Sequence, residues 1–254
     1  MNSPQERLVV PGPLRPWVDG IGLAAYGRGG ALTHVPDAAT VLVWRTAGDG
    51  TSAVSVMGPR TQASYHAAKD IPVCVRIRIA PGAAPALLGV RAGEVVDQVV
   101  PLGELWGPRG ERLGEELAEL GPDPARAVAR IAGLLRDRAA GLPAHGDAVR
   151  AAAALLSVRP GRPAVRVGEA ARRVGLSERQ LRDVFTAAVG VGPKQYARLS
   201  RVRTVLAGAR GRSWARLAGE AGYYDQSHMI AEFRRVMRVT PTAFTAGRLP
   251  AVAC

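Results

Sequence analysis

Short apolar segments between polar turns, one of them alternating at period two, predict a β-rich domain in the first 108 residues. The clearest pattern covers residues 71–79, where the apolar residues fall on one strand face and Arg76 and Arg78 on the other. Residues 41–44 and 54–57 predict two further strands between Gly and Asp turns, and residues 85–90 a short helix. We expect Arg76 and Arg78 to be solvated. An anion pocket that they line is the alternative.

From about Glu111 the apolar period changes to that of a helix. Leu113, Leu117 and Leu120 predict one helix, residues 128–135 a second and residues 147–157 a third. An apolar stripe along a helix usually packs in the hydrophobic core. The alternative is that these stripes form a surface through which two copies of the chain associate. Residues 159–163 contain two prolines and a glycine and predict a linker. The predicted domains are a β-rich sensor at 1–108, a helical linker or dimerisation region at 109–159, and a third domain at 160–254.

Charge is concentrated in that third domain. The 254 residues have a formal net charge of +13, and residues 160–254 carry +11 of it, from 17 Lys and Arg against 6 Asp and Glu. Such asymmetry favours a polyanionic partner, because each neutralised phosphate releases counterions. The chain has no apolar run of membrane-spanning length and no N-terminal secretion pattern, and its two cysteines, Cys74 and Cys254, cannot form a disulfide framework. We therefore expect a cytoplasmic protein.

Two segments of the third domain share one pattern. Ala171 stands four residues before Gly175, Ala218 stands four residues before Gly222, and apolar residues flank each glycine. A small residue lets two helices cross closely and glycine suits the turn, so each segment predicts a helix-turn-helix unit. Ser177 is the predicted N-cap of the helix after the first turn.

The repeat continues through the second helix of each unit. In the first unit the inward residues are predicted to be Leu181, Val184 and Phe185. In the second they are Met229 and Phe233, so its turn is one residue longer. A proline follows each phenylalanine by eight residues, and an aromatic follows the proline by three, as Pro193–Tyr196 and Pro241–Phe244. Proline suits the first position of a helix, and Thr240 is a further predicted N-cap.

Residues 221–229, Ala-Gly-Tyr-Tyr-Asp-Gln-Ser-His-Met, resemble the signature of the AraC/XylS family of bacterial transcription regulators, and the resemblance extends from about Val165 to Arg248. It implies two helix-turn-helix subdomains joined by one helix at about 193–206. Their recognition helices would enter successive major grooves of a DNA operator, about 34 Å apart. It also implies a sequence-specific regulator, with a homodimer, contact with RNA polymerase and a small-molecule effector as further expectations.

The family pattern and helix geometry together give the candidate DNA contacts. Arg179 and Arg182 match base-contacting positions of the family, and arginine can donate two hydrogen bonds to guanine. In the second unit Ile230 and Ala231 replace the frequent Ser-Arg pair, which leaves an arginine contact missing there. The predicted base contacts are Glu178, Arg179, Arg182, Asp183, Gln226, Ser227 and His228. The predicted phosphate contacts are Ser177, Lys194, Arg198, Arg201, Arg203, Arg212, Arg234 and Arg235. The alternatives are solvated charges and, for His228, a capping or packing role.

The first domain is similar, at residues 34–37, 58–61, 81–90 and 100–107, to a cupin-like domain that precedes the same module in actinobacterial regulators. The predicted fold class is therefore α+β, with a cupin-like barrel, a helical linker region and an all-α double helix-turn-helix domain. His34 and His66 lack His-x-His spacing, so neither a metal nor another cofactor is expected, and Cys74 is expected to be an inert buried thiol.

No catalytic motif is present in the sequence, so we expect a protein that is not an enzyme. The rival hypothesis is a small-molecule-binding or enzymatic barrel whose basic domain binds nucleic acid without specificity. A polar cluster inside the barrel would favour that rival.

Overall fold

The computed structural model describes residues 6–27, 31–67, 70–140, 147–159, 165–209 and 211–250. The N-terminal part is built on a six-stranded antiparallel sheet with the order β1-β2-β7-β4-β5-β8, and β3 and β6 form a separate two-stranded antiparallel sheet, the β3–β6 pair. The strands are β1 Glu6–Leu8, β2 Val18–Tyr26, β3 Ala31–His34, β4 Val41–Thr46, β5 Ser52–Met57, β6 Ser64–Ala67, β7 Ile71–Ile79 and β8 Val99–Pro101. The strand predicted at residues 71–79 is confirmed at both ends.

One face of this sheet supports the first hydrophobic core. Leu42 and Trp44 of β4 and Val75 and Ile77 of β7 are almost completely buried in it. Four helices contribute to the same core: α1 Ala84–Leu88, α2 Leu102–Trp106, α3 Pro108–Glu119 and α4 Pro124–Ala139. The leucine stripe of α3 faces inward, as the core interpretation of that stripe predicts.

The predicted barrel is wrong in one respect, because the sheet is not closed. Strands β1 and β8 lie at its two ends and do not pair with each other. Helices pack on one face of the sheet and the β3–β6 pair on the other, so the sheet is the middle of a layered structure. Both end strands have only three residues, which limits how much unpaired backbone they expose.

The expectation that Arg76 and Arg78 are solvated is also wrong. Arg78 donates to Asp37 through both terminal nitrogens, and Arg76 is half-buried beside a cavity. The alternation along β7 shows which residues share a face. It cannot show that the β3–β6 pair covers that face.

The C-terminal part is helical and has a second hydrophobic core, which includes residues of every helix from α5 to α10. The predicted linker falls mostly at residues 160–163, which lie outside the described residues. The helices are α5 Asp147–Leu156, α6 Val167–Arg173, α7 Glu178–Val189, α8 Pro193–Gly208, α9 Trp214–Glu220, α10 Gln226–Met237 and α11 Pro241–Thr245.

Candidate nucleic-acid interface

The two predicted helix-turn-helix units, α6–α7 and α9–α10, have matching turns. Gly175 and Gly222 adopt left-handed φ angles of 73° and 75°. The backbone N–H after each glycine donates to the buried alanine that begins the pattern, at 3.0 Å for Leu176 to Ala171 and 2.9 Å in the second unit. The repeat therefore encodes the same turn twice, and a side chain at either glycine would strain the backbone.

Each recognition helix, α7 and α10, begins with a side-chain cap. Ser177 accepts from the N–H of Gln180 at 3.2 Å, and the Gln180 side chain accepts from the N–H of Ser177 at 2.9 Å. Asp225 accepts from the N–H of His228 at 2.7 Å. Asp225 lies three residues after its turn glycine and Ser177 only two, so the longer second turn is confirmed. Both caps satisfy N–H groups that the helix leaves without partners.

The inner sides of the two recognition helices are also alike. Phe185 packs edge-on against Tyr196 with ring centroids 5.3 Å apart, and Phe233 packs edge-on against Phe244 at 6.0 Å. The prediction that Val184 faces inward is wrong, because its side chain is 43% exposed. Residues spaced by four along α7, Leu181, Phe185 and Val189, already fill the inner side, and position 184 is turned about 100° from Phe185.

The outer sides of both recognition helices are open. Within the described residues, neither Arg179 nor Arg182 forms an ion pair. The His228 ring stands 5.4 Å from the Tyr223 ring, edge-on, and remains exposed. Every predicted base-contacting residue is exposed, namely Glu178, Arg179, Arg182, Asp183, Gln226, Ser227 and His228.

The second recognition helix offers a different outer side from the first. Ile230 is half-buried and Ala231 exposed, so no cation stands at these positions. Tyr224, which the sequence reasoning did not single out, is 94% exposed immediately before the cap of α10. An exposed aromatic beside a recognition helix is a further candidate contact, and only its exposure reveals it.

The predicted phosphate contacts fall into two groups. Lys194, Arg234 and Arg235 are exposed and form no ion pair within the described part of the chain. Ser177 is exposed as the cap of α7. The other four are paired with carboxylates: Arg212 with Glu220 at 2.7 Å, Arg198 and Arg201 with Glu232 at 3.4 and 3.1 Å, and Arg203 with Asp37.

Glu232 is the centre of a cluster that the sequence reasoning missed. Its carboxylate accepts from Arg198 and Arg201 of α8 and from the hydroxyl of Tyr223 at 2.9 Å. Arg201 also lies 5.3 Å above the Tyr223 ring. Burial, followed by the Glu232 charge, raises the pKa of Tyr223, so the hydroxyl is a hydrogen-bond donor at neutral pH. The cluster fixes α10 to the helix that joins the two units.

The N-terminal part contacts both recognition helices near their C-terminal ends. The N–H of Ala63 donates to Val236 at 2.9 Å, and the buried Tyr65 hydroxyl donates to Met237 at 2.5 Å. At the end of α7, Gly190 has a φ of 87° and runs so close to the backbone of Ala92 that a Cβ would collide with it. These contacts leave the N-terminal halves of both helices uncovered.

Asp37 forms a polar link between the two parts. It follows β3 in the chain, and its carboxylate accepts from Arg78 of β7, Arg203 of α8 and the N–H of Ala39 at 3.1 Å. Burial raises the pKa of Asp37, but the two guanidinium groups outweigh burial and lower the pKa overall. The carboxylate is therefore ionised at neutral pH.

His34 on β3 is surrounded by positive groups. Burial comes first, and the charges of Arg60, His66, Arg76 and Arg45 add to it, so that the pKa of His34 falls from 6.5 to about 3. Its ring is therefore neutral at every physiological pH.

This shift predicts a loss of stability in mild acid. Between pH 6.5 and about 3 the unfolded chain binds a proton at His34 that the folded chain rejects. The free energy of unfolding should therefore fall as pH decreases below 6.5, by at most about 1.4 kcal/mol per pH unit from this group. Chemical denaturation of the wild type and of His34→Gln between pH 7 and 5 measures the difference in slope. His228→Gln is the control for loss of an exposed imidazole, and an unchanged slope in His34→Gln would contradict the prediction.

The geometry defines a DNA-binding protein with two helix-turn-helix units. Residues 170–247 match the family model described as a helix-turn-helix domain, and this segment is a DNA-binding domain of the AraC type, as found in transcription regulators. The resemblance identified in the sequence is therefore confirmed. No curated protein matches the chain.

Solved structures of ToxT from Vibrio cholerae align with most of the length of this chain. The structure from O395 is 10% identical, with a TM-score of 0.47, and the match covers 89% of this chain and 97% of that one. A second, bound to a methylnaphthalenyl-butenoic acid, is 12% identical over 89% and 98% of the two chains, with a TM-score of 0.47. A third, bound to an unsaturated fatty acid, is 12% identical over 88% and 93%, with a TM-score of 0.42. This degree of similarity carries no information about the operator or the effector of this chain.

Proposed function

We propose that this protein is a sequence-specific transcription regulator that places α7 and α10 in successive major grooves of its operator. One observation carries the proposal: both recognition helices are held near their C-terminal ends, while the N-terminal halves that would meet the bases are exposed. DNA could therefore approach without displacing the N-terminal part. In this proposal Arg179 and Arg182 read the first groove, and the second groove is read with less base specificity by Gln226, Ser227 and His228.

Arg179→Ala should relax the preference at one base position. We expect a loss of about 1–3 kcal/mol for the preferred base and little change for the others, because a bidentate arginine contact discriminates by that amount. Selection of bound sequences from a random DNA pool, followed by titration of single-base variants, measures the effect. Arg126→Ala, an exposed arginine on α4, is the control. Equal weakening on every sequence would instead make Arg179 a phosphate contact.

The exposed and the carboxylate-paired phosphate candidates should differ in how their substitution changes the salt dependence of DNA affinity. Arg234→Ala should weaken binding uniformly and reduce the slope of log affinity against log salt by about one, because one phosphate contact is lost. Arg201 is already paired with Glu232, so we propose that it positions α10, and Arg201→Ala should leave the slope unchanged.

Fluorescence anisotropy over a range of salt concentrations tests both variants. If the slope of log affinity against log salt falls for Arg201→Ala, then Arg201 contacts a phosphate. A slope that is unchanged for Arg234→Ala would remove Arg234 from the phosphate contacts.

The proposal also covers organisation and location. We propose that the N-terminal unit extends through α4, because α3 and α4 pack into its core, and that this unit senses an effector.

A cytoplasmic location and the lack of enzymatic activity remain part of the proposal. The described helices include none long and apolar enough to cross a membrane. The homodimer and the contact with RNA polymerase stay predictions from the resemblance.

The rival function would give a different result in the same selection experiment. A non-specific binder would enrich no sequence from the random pool and would retain a steep salt slope. Enrichment of one sequence that spans two half-sites about one helical turn apart supports the proposed regulator.

A further inference from the structure

The N-terminal part contains a cavity of about 210 Å³ between the sheet and the β3–β6 pair. Its walls are mostly apolar and include Leu32, Val43, Met57 and Ile71. The cavity lies on the face of β4 and β7 opposite the first hydrophobic core, and among the described residues the β3–β6 pair covers this face. A cavity of about 150 Å³ is sufficient to hold benzene, with its six non-hydrogen atoms, so this one has room for about eight.

The polar groups of the cavity are unbalanced in charge. Arg45, Arg76, His34 and His66 line it, and no carboxylate does so within the described residues. Arg76 is half-buried and Arg45 is exposed, and neither arginine forms an ion pair with a described residue. The guanidinium of Arg76 is thus partly removed from water without a partner, which is unfavourable, and an anion placed beside it would reduce that cost. Burial is the main cause of the lowered pKa of His34, and the charges of Arg76 and Arg45 add to it.

We propose that this cavity binds a small amphipathic carboxylate, with its apolar body against Val43 and Ile71 and its carboxylate at Arg76 and Arg45. Planar guanidinium groups suit a carboxylate because they can donate two parallel hydrogen bonds. The predominantly apolar wall distinguishes this ligand class from inorganic phosphate and from sugars, which need polar partners on every side.

The cavity adjoins the link between the two parts of the protein. A second cavity of about 40 Å³ shares His34, Met57 and Arg76 with the first, and Asp37 and Arg203 line its far side. A carboxylate at Arg76 would therefore add negative charge close to the ion pair of Asp37 with Arg203, which links the segment after β3 to α8. We infer that occupancy changes DNA affinity. This consequence rests on the proposed function, whereas the binding of the carboxylate does not.

Calorimetric titration of the full chain with phenylacetate tests the site, with phenylacetamide as the uncharged analogue of equal size. We expect saturable binding of phenylacetate and at least tenfold weaker binding of phenylacetamide. Arg76→Gln should weaken phenylacetate binding tenfold or more, while Arg126→Gln, a surface arginine on α4, should leave it unchanged. Val43→Phe fills the cavity and should abolish binding, with circular dichroism verifying that each variant is folded.

Several outcomes would overturn the proposal. They are equal affinity for acid and amide, binding that survives both Arg76→Gln and Val43→Phe, and no saturable binding of phenylacetate or hexanoate up to concentrations on the order of 10 mM. DNA binding is measured separately, by anisotropy with the selected operator. Unchanged DNA affinity at saturating phenylacetate overturns the coupling. Failure of the unliganded protein to select any operator overturns the proposed function and leaves the calorimetric result intact.

Discussion

Glu232→Ala is expected to lower the free energy of unfolding by about 3–5 kcal/mol, because it leaves two arginines without their shared carboxylate. The Glu232 side chain is only 9% exposed, and those of Arg198 and Arg201 are 20% and 22% exposed, so water cannot fully replace the lost partner. The Tyr223 hydroxyl loses its acceptor in the same change. Since the cluster joins α8 to α10, the second recognition helix should also lose its fixed orientation.

Two measurements test this expectation. Denaturant unfolding gives the change in stability, and DNA titration at a temperature where the variant is folded gives the change in affinity. Glu220→Ala is the matched control, because Glu220 also binds two arginines, Arg212 and Arg216, but at the protein surface. Exposed pairs contribute little. Similar losses of stability in the two variants would contradict the importance assigned to the buried cluster.

Asp37→Asn should have the second largest effect, a loss of about 2–3 kcal/mol in the free energy of unfolding. The amide cannot neutralise Arg78 and Arg203, which then repel each other near the same position. We place this loss below that of Glu232→Ala because the Arg78 and Arg203 side chains are 35% and 41% exposed and partly screened by solvent.

A double-mutant cycle with Arg203→Gln separates the two halves of this link. Arg203→Gln alone should have a small effect, since Asp37 keeps Arg78, and the two changes together should be less destabilising than their sum. Additive effects would show that Arg203 does not interact with Asp37 in solution. The cycle also isolates the Asp37–Arg203 contact, which joins the segment after β3 to α8, the helix between the two DNA-binding units.

Local sequence patterns predicted the parts of the fold that local chemistry determines. Strand β7 alternates strictly and was predicted at both ends, whereas β2 contains Gly20 and Ala24 and lacks a clear period, so the sequence did not reveal it. The open sheet was missed for a related reason. Strand order depends on pairing between residues far apart in the chain, and alternation within one strand does not report it.

The candidate site divides in the same way. Ala171, Gly175 and Ser177 determine a turn and a cap within seven residues, so their pattern predicted the geometry, and the second unit repeated it. The arginine partners of Glu232 and Asp37 lie 31 to 166 residues away in sequence, so no spacing rule reveals them. Val184 was misassigned because it borders the buried stripe of α7, and helical periodicity alone does not fix the width of that stripe.

The N-terminal unit contacts both recognition helices near their C-terminal ends, and this has a consequence for the operator. Because the same unit contacts α7 and α10, the two helices cannot rotate independently of each other. One inserted base pair rotates the second half of a DNA site by about 35° relative to the first. The rotational spacing between half-sites that the protein accepts therefore depends on the whole chain. A shift of the N-terminal unit would change the accepted spacing even where every base-contacting side chain stays the same.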